Sequence, residues 1–104
     1  MRVLNPTKTS EVKTASALIY TGPCVLGGIL MALDGTNAVT LDVYDGVDAT
    51  GRKVIPQLVI PSSATVRVFS LDFGPDGKEM YTGIYVVIAV AGGGTASYTV
   101  DYKQ

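Results

Sequence analysis

The sequence predicts an all-β protein, an antiparallel β-sandwich of about eight short strands with jelly-roll or Greek-key connections and no substantial helix. Apolar residues do not keep the helical spacing i, i+3, i+4 and i+7 over three turns anywhere in the 104 residues. Val, Ile, Thr and Tyr instead recur in short runs, and Gly, Pro, Asn and Asp separate these runs at a spacing typical of sandwiches. Since no helix is available for a crossover connection, neighbouring strands are expected to be antiparallel.

The chain is expected to form one domain preceded by a short arm. Residues 1–10 are mostly polar and contain one proline, so we interpret them as an N-terminal arm that a partner holds in place. Residues 11–104 are interpreted as a single sandwich domain, because no repeat, linker or change in composition divides them. A chain of this size buries roughly two thirds of its unfolded surface, which allows folding without metal or disulfide.

Three strands carry specific predictions. The predicted strands are residues 11–15, 17–20, 25–33, 39–44, 54–55, 58–60, 65–73, 84–90 and 97–102. Gly27 and Gly28 interrupt the third strand and predict a β-bulge or a bend. In residues 65–73 the apolar side chains change from even to odd positions, which predicts a bulge or a change of buried face. Residues 84–90 are apolar at both parities and predict a central strand covered on both faces.

Composition favours a protein that hides part of its surface. Hydrophobic residues make up 47% of the chain and charged residues only 16%, compared with about 25% charged residues in an average globular domain. Such a chain suits a homo-oligomer or a larger assembly, because a monomer avoids a large exposed apolar patch. The alternative is a compact sandwich with Ser and Thr on its surface, and composition alone favours neither.

Charge and hydropathy exclude two classes of partner. The net charge is −1 and the charges are scattered, so direct binding of nucleic acid is not expected. The longest apolar runs, residues 25–33 and 84–91, are much shorter than the ~20 residues that span a bilayer. No apolar signal core is present near the amino terminus, and the chain is therefore expected to be made and used in a cytoplasm.

The residue types do not predict an enzyme. The chain has no histidine and one cysteine, Cys24, which excludes Ser-His and Cys-His pairs, an internal disulfide and most transition-metal sites. Asp42, Asp45 and Asp48 recur every three residues, a pattern that raises a carboxylate pair or a calcium loop. This pattern lacks the closing ligand of a calcium loop, and we expect Asp45 to cap a turn and Asp48 to be solvated. No catalytic residue, cofactor or metal is predicted.

Six tyrosines and no tryptophan leave a carbohydrate-binding or partner-binding surface as a second possibility. Tyrosine is also common at the rim of a β core, where its ring is buried and its hydroxyl reaches water, and this interpretation is favoured. The tyrosines are at positions 20, 44, 81, 85, 98 and 102.

Three glycine-rich segments follow one another in a characteristic order. Residues 21–28 read TGP-x-x-L-x-G, residues 44–51 read YDG-x-x-A-x-G, residues 82–86 read TG-x-Y-V, and a Thr/Tyr/Val strand ends the chain. Over about residues 14–102 this order resembles a group of small structural proteins from the virions of tailed phages and prophages. The shared motifs are glycine and turn patterns, and no catalytic residue is carried over with them.

The resemblance implies a bacteriophage virion structural protein, most simply a capsid decoration or cement protein. Such a protein forms a homo-oligomer, for which a trimer is expected, and binds the major capsid protein or another virion protein. Its location is then the virion, which is assembled in the host cytoplasm. Two alternatives stay open: a carbohydrate- or receptor-binding module of a tail or fibre, and a structural component of the neck or tail.

The candidate partner-binding residues lie in the arm and in the loop after the fourth predicted strand. The arm offers basic side chains and a small apolar pair, whereas the loop offers charges of both signs. In the arm these residues are Arg2, Val3, Leu4 and Lys8, and in the loop they are Asp45, Asp48, Arg52 and Lys53.

Overall fold

The computed structural model describes residues 7–104, which fold as two antiparallel β-sheets packed against each other. The predicted all-β sandwich is thus confirmed. The strands are β1 (Lys8–Thr9), β2 (Ala17–Thr21), β3 (Cys24–Leu33), β4 (Val39–Asp45), β5 (Arg52–Lys53), β6 (Leu58–Ile60), β7 (Val68–Asp72), β8 (Lys78–Met80), β9 (Gly83–Val90) and β10 (Ala96–Lys103). A single 3-10 turn, Ala91–Gly93, connects β9 to β10.

The chain crosses repeatedly between the two sheets. Sheet A has the strand order β1-β10-β3-β7, and β8 also pairs with β3. Sheet B has the order β2-β9-β4-β5, and β6 also pairs with β4. Most sheet neighbours are therefore distant in sequence. None of the helical segments in residues 7–104 is long and apolar enough to cross a membrane.

The core lies between the inner faces of β3, β4, β9 and β10. Alternate residues of these strands point inward, as the sequence of β4 predicts, because successive side chains of a strand lie on opposite faces. Complete burial of a valine, leucine, isoleucine or methionine side chain stabilises the folded chain by about 1.5–3 kcal/mol relative to leaving it exposed. The large side chains that are almost completely buried are Leu26, Ile29, Met31, Val39, Leu41, Val43, Met80, Ile84, Val86, Tyr98 and Val100.

The predicted β-bulge in β3 is confirmed. Asp101 of β10 pairs with Gly28, whereas the next residue, Tyr102, pairs with Leu26, so Gly27 is the additional residue. The extra residue keeps both Leu26 and Ile29 on the core side of the strand. A Cβ atom at position 28 would lie 2.6 Å from the carbonyl oxygen of Leu71 in β7, which explains the glycine there.

The predicted change of buried face in residues 65–73 is wrong. β7 pairs with β3 without a register shift, from Val68 opposite Ala32 to Asp72 opposite Gly28. The aromatic and leucine side chains at the odd positions pack against the core, whereas Val66 and Val68 are 61% and 62% exposed. The core therefore does not use the even-numbered valines.

Residues 84–90 form an interior strand, as predicted, but only one face of it is covered, not both. β9 is an interior strand, with β2 on one side and β4 on the other. Ile84 and Val86 are completely buried on its inner face. On its outer face Ala89 is exposed and Tyr85 is only partly buried, because no further layer covers sheet B there.

Short strands account for the remaining differences. Residues 11–15, predicted as a strand, contribute only an isolated bridge between Lys13 and Tyr98. Residues 52–53 form β5 in place of the predicted 54–55, and the unpredicted β8 contains two charged residues that obscure its alternation. Residues 8 and 9, which the sequence assigned to the arm, pair with β10 of the same chain as β1.

Replacing Gly28 with alanine is expected to lower the free energy of unfolding by about 2–3 kcal/mol. The added Cβ meets a backbone atom of β7, which moves only if the strand moves. Gly27→Ala is the matched control, because its Cβ would lie at a more tolerable 3.3 Å from the Asp101 carbonyl oxygen. Urea unfolding of both variants measures the difference. Equal destabilisation at the two positions would contradict the close approach of β7.

Candidate functional site

The three sequence motifs meet at one end of the sandwich, where β4 ends and the chain passes from β8 to β9. The backbone N–H of Gly22 donates to the carbonyl of Thr82 at 2.7 Å. A Cβ atom on Gly83 would lie 2.5 Å from the Tyr20 carbonyl oxygen and 3.0 Å from that of Gly46. The motif glycines therefore allow three backbone segments to touch one another.

The Asp45 carboxylate occupies the centre of this junction. Its Oδ1 accepts the N–H groups of Thr82 at 2.8 Å and Gly83 at 3.3 Å, and its Oδ2 accepts that of Tyr81 at 3.0 Å. The Arg52 guanidinium completes the set, with Nη2 at 3.3 Å from Oδ2. Because β8 belongs to sheet A and β9 to sheet B, the Asp45 carboxylate fastens the crossing between the sheets to the end of β4.

Asp45 is charged at neutral pH. Burial by itself would raise the pKa of this carboxyl group, but the backbone N–H groups of residues 81–83 and the Arg52 guanidinium hold the pKa below its usual value. Only 4% of the Asp45 side chain is exposed, compared with 63% of Arg52. The backbone donors therefore stabilise the charge more than the exposed ion pair does.

The loop after β4 folds tightly against itself. Gly51 donates its N–H to the Asp48 carbonyl at 3.3 Å, and a Cβ on Gly51 would lie 2.7 Å from the Asp45 carbonyl oxygen. The Asp48 carboxylate accepts the N–H of Thr50 at 2.9 Å and also its hydroxyl. Asp48 is exposed and caps a turn.

Asp42 is buried on the outer face of sheet B. Its Oδ1 lies 3.1 Å from Lys53 Nζ, and its Oδ2 accepts a hydrogen bond from Gln57 Nε2 at 3.0 Å. Burial would raise the pKa of Asp42, but the Gln57 and Lys53 donors lower it below its usual value. The hydrogen bond between Lys53 and Asp42 also raises the pKa of Lys53. The contact between Lys53 of β5 and Asp42 of β4 anchors the short β5 strand to β4.

The regular spacing of the three aspartates does not bring them together. Asp42 faces Lys53 and Gln57, Asp45 faces the β8–β9 turn, and Asp48 caps its own loop. Within residues 7–104 no group of three or more metal-ligating acidic or cysteine side chains is arranged to hold an ion.

The residues predicted to bind a partner have very different environments. Arg2, Val3 and Leu4 lie outside the described residues. The Asp45 carboxylate is used inside the chain, whereas Lys8 and Asp48 are exposed. Arg52 and Lys53 each pair with a buried aspartate and still expose 63% and 47% of their side chains.

The tyrosines do not form an exposed cluster in the described part of the chain. Only Tyr81 is largely exposed, at 64%. Tyr98 is buried, donates its hydroxyl to the Ala15 carbonyl at 2.8 Å, and has its pKa raised to about 12 by burial. The rings of Tyr20 and Tyr102 contact each other with centroids 5.3 Å apart. Tyr20, Tyr98 and Tyr102 thus pack against the core of the sandwich.

The outer face of sheet A carries an apolar patch that sequence analysis did not identify. Val12, Leu30 and Val68 are 66%, 53% and 62% exposed, and with Ala32 they line a shallow depression of about 220 Å³. We call these four residues the outer apolar patch. The sequence signal for this patch was the apolar side chains at even positions in residues 65–73, which the core does not use. Adjacent exposed apolar side chains of this kind often mark a contact surface.

Asp45→Asn is expected to lower the free energy of unfolding by about 3 kcal/mol, because the substitution removes the charge and turns a donor toward buried N–H groups. Asp48→Asn is the matched control, since Asp48 is exposed and caps only its own loop. We expect it to cost at most about 1 kcal/mol. Chemical unfolding at neutral pH gives both values, and similar losses would contradict the role assigned to Asp45.

Stability is expected to fall in acid. Asp34, Asp42, Asp45 and Asp48 all have pKa values lowered by hydrogen bonding in the folded chain. A lowered folded pKa gives stability that is present above the unfolded value of about 3.9 and is lost as the pH falls through the folded value. Unfolding curves should therefore change little down to about pH 5 and weaken below about pH 4. The difference between wild type and Asp45→Asn should shrink over the same range, and a constant difference would contradict this account.

No protein-family model, curated protein or solved structure matches the chain. The resemblance to small virion proteins therefore stays a prediction that rests on the sequence motifs.

Proposed function

We propose that this protein is a non-enzymatic structural component of a tailed-phage virion, of the capsid decoration or cement type, that self-associates and binds the particle surface. The outer apolar patch is the observation that carries the proposal. A chain with only 16% charged residues places exposed valine and leucine side chains together on one sheet face. Exposed apolar area of this kind is covered when the protein assembles.

The way the sandwich is held together suits a binding role. Carboxylates fasten turns to neighbouring backbone at both ends of β4, through Asp34 at its start and Asp45 at its end. A rigid scaffold loses little conformational entropy on docking, which favours binding through a preformed surface. The apolar patch and the exposed side chains of Arg52 and Lys53 are surfaces of this kind.

A carbohydrate-binding module of a tail or fibre is the second candidate, and no specific observation favours it. Such a module is expected to present several exposed aromatic rings beside polar groups, whereas Tyr81 is the one largely exposed tyrosine in the described chain. A neck or tail structural component uses the same kind of apolar contact. The particle to which the protein binds distinguishes this role from a capsid role.

Binding to particles tests the proposal. Purified protein is mixed with phage particles, or with empty capsids, from the genome that encodes it, and bound protein is measured by co-sedimentation. We expect saturable binding to capsids, and we expect Leu30→Asp to weaken it at least about tenfold, because burial of a leucine is worth about 1.5–3 kcal/mol.

Val59→Asp is the matched control, because Val59 is 65% exposed on sheet B, away from the outer apolar patch. It should bind as wild type does. Absence of binding to any particle, or equal loss in both variants, would overturn the proposal, and binding to tails alone would move the protein to the neck or tail. Glycan binding with a dissociation constant below the millimolar range would support the second candidate.

A further inference from the structure

We propose that the open edge of sheet A, strand β7, pairs with β7 of a second copy of this chain in antiparallel register across a two-fold axis. The inference rests on the self-association contained in the proposed function and names the contact that produces it. The proposed contact is the β7 edge, and the outer apolar patch lies beside it.

Backbone geometry shows which groups of β7 are free to pair. On the side of β3, the Leu33 N–H donates to the Arg67 carbonyl at 2.8 Å, and the Phe73 N–H donates to the Gly27 carbonyl at 3.1 Å. Odd-numbered residues of this stretch therefore direct their N–H and C=O groups toward β3. Because these groups alternate between the two sides of a strand, Val68, Ser70 and Asp72 direct theirs to the open edge.

Within residues 7–104, no strand pairs with that edge. β7 is the last strand in the order of sheet A, and its pairing within residues 7–104 is with β3 alone. Natural edge strands are often protected from pairing with another chain by charged residues, especially lysine, or by proline or a bulge. β7 reads Val-Phe-Ser-Leu-Asp, contains no lysine or proline, and pairs with β3 without a register shift. Its single charge, Asp72, is at the last position of the strand.

The edge is complementary to itself. A two-fold axis at Ser70 places Ser70 opposite its own counterpart and Val68 opposite Asp72 of the other copy. This register uses all five residues of β7 and provides about six hydrogen bonds between the copies. It also keeps the two Asp72 carboxylates apart, because each would lie opposite Val68 of the other copy on the outer face. Antiparallel pairing of β7 with a copy of itself therefore places no like charges directly opposite each other.

The pairing also explains the position of the outer apolar patch. A two-fold axis perpendicular to the sheet leaves the outer faces of both copies on the same side. Val68 lies on β7, and Leu30 lies opposite Ser70 on the adjacent β3, so the two patches become neighbours. The dimer then presents one continuous apolar surface of twice the area to the particle. A two-fold contact predicts an even number of copies, in contrast to the trimer expected from the sequence.

Ser70→Pro tests the edge directly. Proline removes an N–H that faces away from β3, so the hydrogen bonds to β3 remain, and proline is tolerated at such edge positions. Ser70→Ala is the matched control, because it keeps the N–H and removes only an exposed hydroxyl. Analytical ultracentrifugation of the full chain, above micromolar concentration, should show dimers or their multiples for wild type and Ser70→Ala. For Ser70→Pro the dissociation constant should rise about 100-fold.

Hydrogen exchange and a second variant keep the result unambiguous. In the wild-type protein the amides of Val68, Ser70 and Asp72 should be protected at high concentration and lose protection on dilution. If Ser70→Pro fails to fold, Val68→Lys replaces an exposed edge side chain and should separate the copies in the same way. Assembly of the Ser70→Pro variant with wild-type mass overturns the β7 contact while self-association stands. A monomeric wild type overturns both, and particle binding by that monomer would leave the virion role intact.

Discussion

The fold depends on one buried carboxylate. Asp45 ends β4 and accepts backbone N–H groups from residues 81–83, where the chain passes from sheet A to sheet B. Burial of those N–H groups without an acceptor costs about 1–3 kcal/mol for each group. Gly46 and Gly83 are required beside it, since a side chain at Gly83 would collide with the backbone of β2. Gly46 and Gly83, from two of the glycine motifs, thus allow the backbone to pack closely around the Asp45 carboxylate.

A second carboxylate has the same role at the other end of β4. Asp34 accepts the N–H groups of Thr36 and Asn37 within its own turn and that of Thr95 in the turn before β10. These hydrogen bonds lower the pKa of Asp34. Gly94 fits because a Cβ atom there would lie 2.4 Å from Asp34 Oδ2. Both ends of the sandwich are thus held by carboxylate-to-backbone contacts, and apolar side chains fill the space between them.

Because these carboxylates are used inside the chain, the surfaces left for the proposed partners are its outer faces and edges. The acidic residues that first suggest chemistry are largely used for structure, because each of them faces its own backbone or cationic partner. Three exposed apolar side chains, Val12, Leu30 and Val68, lie together on the outer face of sheet A, next to the edge strand β7. A rigid sandwich with an apolar patch beside an unpaired edge strand is suited to assembly, which is the basis of the proposed virion role.

The sequence by itself determined the all-β class, the alternation of β4 and the bulge at Gly27. Each of these is a local property, because strand alternation and glycine geometry are visible within a few residues. Tertiary structure alone decided the role of Asp45, whose backbone donors are 36–38 residues away along the chain. It also decided that Val66 and Val68 face outward, and that β1 and β8 are strands. These outcomes depend on which distant segments meet, and an alternating pattern identifies two faces without showing which of them the core covers.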